Sequence, residues 1–265
     1  MKNILPFIVF LLIGNVAYSY ENTYAILVGV ADYKNFSTYS GDLRYTVNDV
    51  NKFYDFLKSK NGGSVPAANI IVLTDANASK ANILAKAKLL FSKAKTNDRV
   101  IFYFSGHGDR GCFLPYDADH NGNNMLYFNE IKAIFRCAKC NTKLLFADAC
   151  FSGSMKKKIS KNPELLKKME KSVKTSSNMN IAVMMSCQSD ETSLELPELR
   201  QGLFTYYLIQ GLGGKANRDG SKYVTIQELF YYVYHKVQNR AATIGEQQTP
   251  ELFGTFDLRL IVGKI

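Results

Sequence analysis

The sequence predicts an α/β fold: a mostly parallel central sheet of about six strands, with helices on both faces. Three observations carry this expectation. Short apolar runs bounded by turn formers recur at residues 24–30 (YAILVGV), 69–74 (NIIVLT), 99–104 (RVIFYF), 143–147 (KLLFA) and 180–186 (NIAVMMS), as expected of strands buried on both faces. Between them lie amphipathic segments long enough to serve as crossover helices. Finally, 265 residues with 46% hydrophobic and 21% charged content can bury a large core, and no tract has a disordered composition.

Residues 1–19 read as a signal peptide. Lys2 supplies the positive start, residues 4–13 a short apolar run, and Ala17 and Ser19 the small residues of a cleavage site before Tyr20. The run is too short to span a bilayer, so an exported mature chain of residues 20–265 is expected. After the first strand, residues 48–60 carry Val50, Phe53, Tyr54 and Leu57 at helical spacing, with Asn48 and Asp49 at the amino end and Asn61, Gly62 and Gly63 as the stop. After the second strand, Ile83, Leu84, Ala87, Leu90 and Phe91 predict a helix over 79–95. The third strand runs into Ser105, Gly106, His107 and Gly108. Segments 112–116 and 125–128 form a hairpin around Asp117, Asp119, His120, Asn121 and Gly122, and a helix over 129–138 leads to the fourth strand.

That fourth run ends in Asp148, Ala149 and Cys150. A lysine-rich stretch and the run at 180–186 follow, then an apolar helix over 203–212 ended by Gly213 and Gly214. Thr225 and Glu228 make a capping box for a helix to about Gln238, and a last strand is expected over 255–262.

The chain holds 33 Lys and Arg against 23 Asp and Glu, and without Lys2 the excess is 32 minus 23, or +9. Much of it falls in residues 156–174, where Glu164 and Glu170 are the only acids. This is a local solvated segment rather than a basic field, so neither nucleic acid nor a membrane is expected as a partner. Five cysteines leave at least one thiol unpaired in an exported chain. Cys137 and Cys140 form a C-x-x-C for which a structural or disulfide role is favoured over redox catalysis, and no histidine stands at zinc-ligand spacing. Around Asn217, Asp219 and Gly220 the spacing fails for a calcium loop.

Carboxyl ends of parallel strands are where open α/β sheets place their chemistry. His107 and Cys150 each follow a strand. If those strands are neighbours, imidazole and thiol emerge on one edge as a candidate base and nucleophile.

The motifs SGHG (105–108), DACFSG (148–153), SCQSDETS (186–193) and GLFTYYL (202–208) occur in an order and spacing that resembles the caspase-like cysteine peptidases, specifically bacterial members of the metacaspase type. The resemblance implies a caspase–hemoglobinase sandwich, with a large-subunit-like part over 20–154, a basic linker over 155–178 and a small-subunit-like part over 179–265. It implies His107 and Cys150 as catalytic dyad, and the backbone N–H groups of Gly108 and Cys150 as oxyanion hole. It also implies a first specificity pocket made by Asp148, Asp49 and Ser105 that takes Arg or Lys, although Asp49 reads almost as well as a helix N-terminal acid. The lysine-rich linker then suggests autoprocessing, and a monomer is expected. No cofactor is required. Many metacaspases need calcium, through a carboxylate placed where this chain has Lys156, Lys157 and Lys158, which argues against it here; Asp117 and Asp119 remain as acids that would equally order a turn. Two other readings stay open: a transpeptidase or other acyl transferase using the same dyad, and a non-catalytic peptide-binding module.

Overall fold

The computed structural model describes residues 20–36, 42–109, 111–149, 181–188 and 191–265. In chain order these form β1 (Thr23–Gly29), α1 (Thr46–Lys58), β2 (Ile70–Thr74), α2 (Lys80–Phe91) and β3 (Arg99–Ser105). Three two-residue strands follow, β4 (Gly108–Asp109), β5 (Cys112–Phe113) and β6 (Leu126–Tyr127), then α3 (Phe128–Arg136) and β7 (Thr142–Asp148). The remainder comprises β8 (Ala182–Met185), β9 (Glu195–Leu196), β10 (Gln201–Gly202), α4 (Leu203–Gln210), β11 (Tyr223–Thr225), α5 (Ile226–Ala242), β12 (Glu251–Gly254) and β13 (Ile261–Lys264).

Six strands form the central sheet in the order β12-β8-β7-β3-β1-β2. Every neighbouring pair is parallel except the edge strand β12, which runs antiparallel to β8. Alternation along the buried strands sends side chains to two separate cores. Val100, Phe102 and Phe104 of β3 pack with Ile83, Ala87, Leu90 and Phe91 of α2 and Ile131, Ile134 and Phe135 of α3. Ile101 and Tyr103 face the other way, onto Val50 and Phe53 of α1, Leu203 and Phe204 of α4 and Leu229 and Val233 of α5. Helices thus cover both faces, as the apolar runs require: a strand with no polar side must be buried on each. The small sheet β4-β5-β6 contains the predicted hairpin.

Helices α2 and α5 begin where the chain supplies acceptors. Ser79 Oγ takes the Asn82 N–H (3.4 Å) ahead of α2. Thr225 Oγ1 takes the Glu228 N–H (3.2 Å) while Glu228 takes the Thr225 N–H (2.9 Å), completing the capping box of α5.

Three expectations need correction. The strand expected over 255–262 is misplaced: residues 255–260 are a turn region between β12, which ends at Gly254 and closes the main sheet, and β13, which starts at Ile261 and pairs with β11. Gly254 (φ +123°) ends the first, and a turn in which Asp257 accepts the Arg259 N–H (2.9 Å) separates them. Helix α4 gives way after Gln210 to a π-type turn, Gly211–Lys215, with Gly214 at φ +112°. Cys137 and Cys140 are free thiols, so the disulfide alternative for the C-x-x-C does not hold. The cleavage site after Ser19 and the lysine-rich 155–178 segment lie outside the described residues. Among the described residues no helix is long and apolar enough to cross a membrane.

Candidate active site

Strands β3 and β7 are adjacent and parallel, with Ser105 level with Asp148, so both chains leave the sheet at the same edge. The Gly106 N–H donates to the Asp148 carbonyl (3.1 Å), prolonging the ladder by one step. His107 follows. Its N–H donates to Tyr33 Oη (2.7 Å) and its carbonyl accepts from the Leu114 N–H (2.9 Å). The Tyr33 ring lies 5.0 Å from the imidazole, centroid to centroid. A glycine is needed just before the histidine, because a Cβ on Gly106 would stand 2.8 Å from Tyr33 Oη. On the other strand Ala149 is the last described residue; its N–H donates to Ser186 Oγ, and Ser186 Oγ donates to its carbonyl, both at 3.1 Å. Cys150 comes next in sequence and lies outside the described residues. Gly108 opens β4 opposite Phe113.

Beside His107 is a cleft of roughly 460 Å³, counted with its open mouth, lined by Asp49, Ser105, Asp148, Ser193 and Glu195 among others. Asp49 sits in the first turn of α1, where an acid can simply offset the free helix N–H groups. Its side chain does something else: it accepts from Ser105 Oγ (2.9 Å) and from the Gly202 N–H (2.9 Å). Asp148 accepts from Ser193 Oγ, from the Thr205 N–H (3.0 Å) and from Thr205 Oγ1 (2.7 Å). The two carboxylates converge on Gly202, where an added Cβ would lie 2.2 Å from Asp148 Oδ2 and 3.0 Å from Asp49 Oδ2. Gly202 is therefore the floor that lets both acids approach.

Asp49 is 1% and Asp148 6% exposed, and among the described residues neither is paired with a cation. Burial, then the neighbouring Asp148, pushes the Asp49 carboxyl well above its ordinary range, against the pull of the Gly202 and Ser105 hydrogen bonds. Burial likewise raises Asp148, despite the donors from Ser193 and Thr205. Glu195, held by the N–H groups of Arg44 (3.0 Å) and Tyr45 (2.7 Å), adds negative charge to both. Such a pair either retains a proton or takes in a cation.

Several pocket residues were not singled out from the sequence. Ser193 and Thr205 clamp Asp148, and the buried Gln248 donates to Ser193 Oγ (3.3 Å) and to the Ser186 carbonyl (3.0 Å). Ser186 and Ser193 fall in SCQSDETS, and Gly202 and Thr205 in GLFTYYL, so the motifs marked the segments without marking the atoms. Glu191 accepts from Thr249 Oγ1 (2.7 Å) and so anchors the loop before β9, while Asp190 lies outside the described residues. The acids of the 117–124 turn order its backbone. Asp117 takes the Lys80 N–H (2.8 Å), and Asp119 takes the N–H groups of Asn121 (3.0 Å) and Asn123 (2.9 Å) and the Asn123 side chain (2.8 Å). Among the described residues no group of three His, Cys, Asp or Glu could hold a metal ion.

Residues 22–260 match the model of the caspase domain. The chain belongs to the caspase-domain family. This is a family of cysteine-type peptidases, and the likeness extends to named relatives. The chain is 33% identical over 109 residues to Metacaspase-1A of Aspergillus oryzae, a match covering 39% of this chain and 25% of that protein. It is 26% identical over 245 residues to a "Probable protease" of a Desulfuromonadales bacterium, covering 79% of this chain and 29% of that protein. The caspase-domain chain thus spans less than a third of the length of these two curated relatives. Among solved structures, caspase-1 of Spodoptera frugiperda superimposes with a TM-score of 0.63 at 15% identity, covering 93% of this chain and 92% of that one. A protein of Geobacter sulfurreducens gives 0.59 at 15% identity, with coverage of 90% and 97%. The caspase–hemoglobinase architecture and its mostly parallel six-stranded sheet follow from these comparisons and from the strand order.

Proposed function

We propose that the protein is a cysteine endopeptidase that cleaves after Arg or Lys, with Cys150 as nucleophile and His107 as general base and acid. One observation carries the specificity: two buried carboxylates, Asp49 and Asp148, line the cleft beside His107 with no cation between them among the described residues. A long cationic side chain supplies the missing charge and reaches the Asp pair with its stem against the cleft wall. A substrate aspartate would add a third negative charge to a pocket already flanked by Glu195.

In the reaction, His107 accepts the thiol proton and the Cys150 thiolate attacks the substrate carbonyl carbon. The carbonyl oxygen takes the negative charge, and the N–H groups of Gly108 and Cys150 are its donors, each contributing about 3–4 kcal/mol in a dry site. The intermediate collapses as the C–N bond breaks and His107 gives its proton to the leaving amine. Water, deprotonated by His107, then cleaves the thioester and returns the thiol. No metal or organic cofactor enters any step. The same specificity applied to the lysine-rich 155–178 segment gives autoprocessing, the leader at 1–19 gives export, and the metacaspase resemblance gives a monomer.

The test is a fluorogenic peptide panel with Arg, Lys or Asp at the cleaved position, together with intact masses of wild type and Cys150→Ala. Cleavage of the Arg and Lys peptides only, and a processed mass in the wild type alone, are expected. Preference for Asp overturns the specificity, and identical masses overturn autoprocessing.

A further inference from the structure

The ladder between β3 and β7 stops at Ser105 and Asp148, yet His107 and Cys150 lie two residues further on. Beyond a ladder, backbone N–H groups need other partners if the chain is to hold one position. The strands that flank the pair supply them. On one side β1 leads to Tyr33, 2% exposed, whose Oη accepts the His107 N–H at 2.7 Å and whose ring faces the imidazole at 5.0 Å with 34° between planes. On the other side β8 leads to Ser186, fully buried, whose Oγ takes the Ala149 N–H and gives its own proton to the Ala149 carbonyl. Ala149 is bonded directly to Cys150.

Both hydroxyls are themselves held. Tyr33 packs edge-on against Phe36 at 5.6 Å, with Gly106 leaving room for its Oη. Beside Ser186, its carbonyl accepts from Gln248 Nε2 (3.0 Å) and its N–H donates to the Ala147 carbonyl (2.9 Å). The two contacts are alike in form: a buried hydroxyl from the neighbouring strand's end grips the backbone that carries, or directly precedes, a reacting side chain.

We propose that Tyr33 and Ser186 are positioning residues of the dyad, which fix the separation of the His107 imidazole and the Cys150 sulfur and so the fraction of thiolate present at neutral pH. The proposal rests on the reading of His107 and Cys150 as the dyad. Neither hydroxyl touches substrate. Each acts through geometry, to which both the ion pair and the attack are sensitive: a displacement of about 1 Å can cost on the order of 10²-fold in rate.

The experiment uses the full chain as wild type, Tyr33→Phe, Ser186→Ala and Cys150→Ala. It reads kcat and KM on an Arg peptide, the melting temperature, and the rate of Cys150 alkylation by iodoacetamide from pH 5 to 10, located by peptide mass. Tyr33→Phe and Ser186→Ala should keep KM within about twofold and lower kcat by about 10- to 100-fold per folded molecule. Their alkylation midpoint should move up toward the free-cysteine value of about 8.5, with the rate at pH 10 equal to wild type. A purely structural role would scale the alkylation rate equally at every pH and leave kcat per folded molecule unchanged. Should Ser186→Ala fail to fold, Tyr33→Phe, which keeps the ring, decides the matter. A folded variant whose midpoint and kcat match wild type overturns the proposal for that residue. Cleavage by Cys150→Ala would overturn the dyad itself, an outcome separate from the clamps.

Discussion

Replacing Gly202 by alanine isolates the acidic pocket from the rest of the site. Its backbone, φ −63° and ψ 137°, suits any L-residue, so the substitution is a question of space alone. The new methyl would stand 2.2 Å from Asp148 Oδ2, whereas ordinary contact begins at 3.4 Å, so the carboxylate must retreat by roughly 1 Å. Oδ2 is the oxygen that accepts both Thr205 hydrogen bonds, at 3.0 and 2.7 Å, and that retreat breaks at least one of them. A hydrogen bond to a charged group is worth about 1.5–3 kcal/mol. Expressed as lost recognition of a cationic side chain, this is about 10- to 150-fold in kcat/KM. Overpacking adds about 1–3 kcal/mol of destabilisation, and at about 2–4 °C per kcal/mol the melting temperature falls by a few degrees while the chain stays folded. The assay is kcat/KM on Arg and Lys peptides, with Cys150 alkylation as the control that should not change. Gly202→Ala cleaving Arg peptides at the wild-type rate would refute the placement of the specificity pocket at Asp49 and Asp148.

Asp49→Asn tests the proton balance of the same pair. Because burial raises the folded pKa of Asp49, the native state binds more protons than the unfolded chain between the ordinary carboxylate value of about 4 and the folded value, and stability falls as pH rises through that window. The uncharged variant escapes this loss: without substrate it should melt above wild type at pH 8 and not at pH 4, while its kcat/KM on Arg peptides falls at both. Far from the cleft, Thr225→Ala removes the α5 cap and should cost about 1 kcal/mol by denaturant titration, with kcat per folded molecule unchanged. A larger loss of activity than of stability would show that α5 does more than support the core.

What the sequence discloses and what it hides both have physical causes. Runs such as RVIFYF and KLLFA are legible because a strand covered on both faces has no polar side to confuse its pattern, and their loops carry the histidine and cysteine in plain view. The edge strand β12 is half-buried and only four residues long, too weak a pattern to read as a strand, while the start of β13 and the turn at Asp257 before it read together as one strand. Asp49 was ambiguous because a helix start and a pocket call for the same residue type; only its hydrogen bonds to Ser105 and Gly202 separate the two roles. Ser193, Thr205, Ser186 and Gln248 have no signature of spacing at all. Their roles arise from segments 37 to 62 residues apart meeting over one strand end, a property of the strand order β12-β8-β7-β3.

Covalent capture of Cys150 tests the central claim most directly. An electrophilic peptide ending in Arg, offered at neutral pH to wild type and to His107→Ala, is followed by intact mass and peptide mapping, with an Asp-ending peptide as comparison. The account predicts stoichiometric labelling of Cys150 in the wild type by the Arg probe, little by the Asp probe, and loss of labelling in His107→Ala that returns as pH is raised past the thiol's own pKa. Equal labelling by both probes, or labelling in His107→Ala as fast as in wild type at neutral pH, would contradict it.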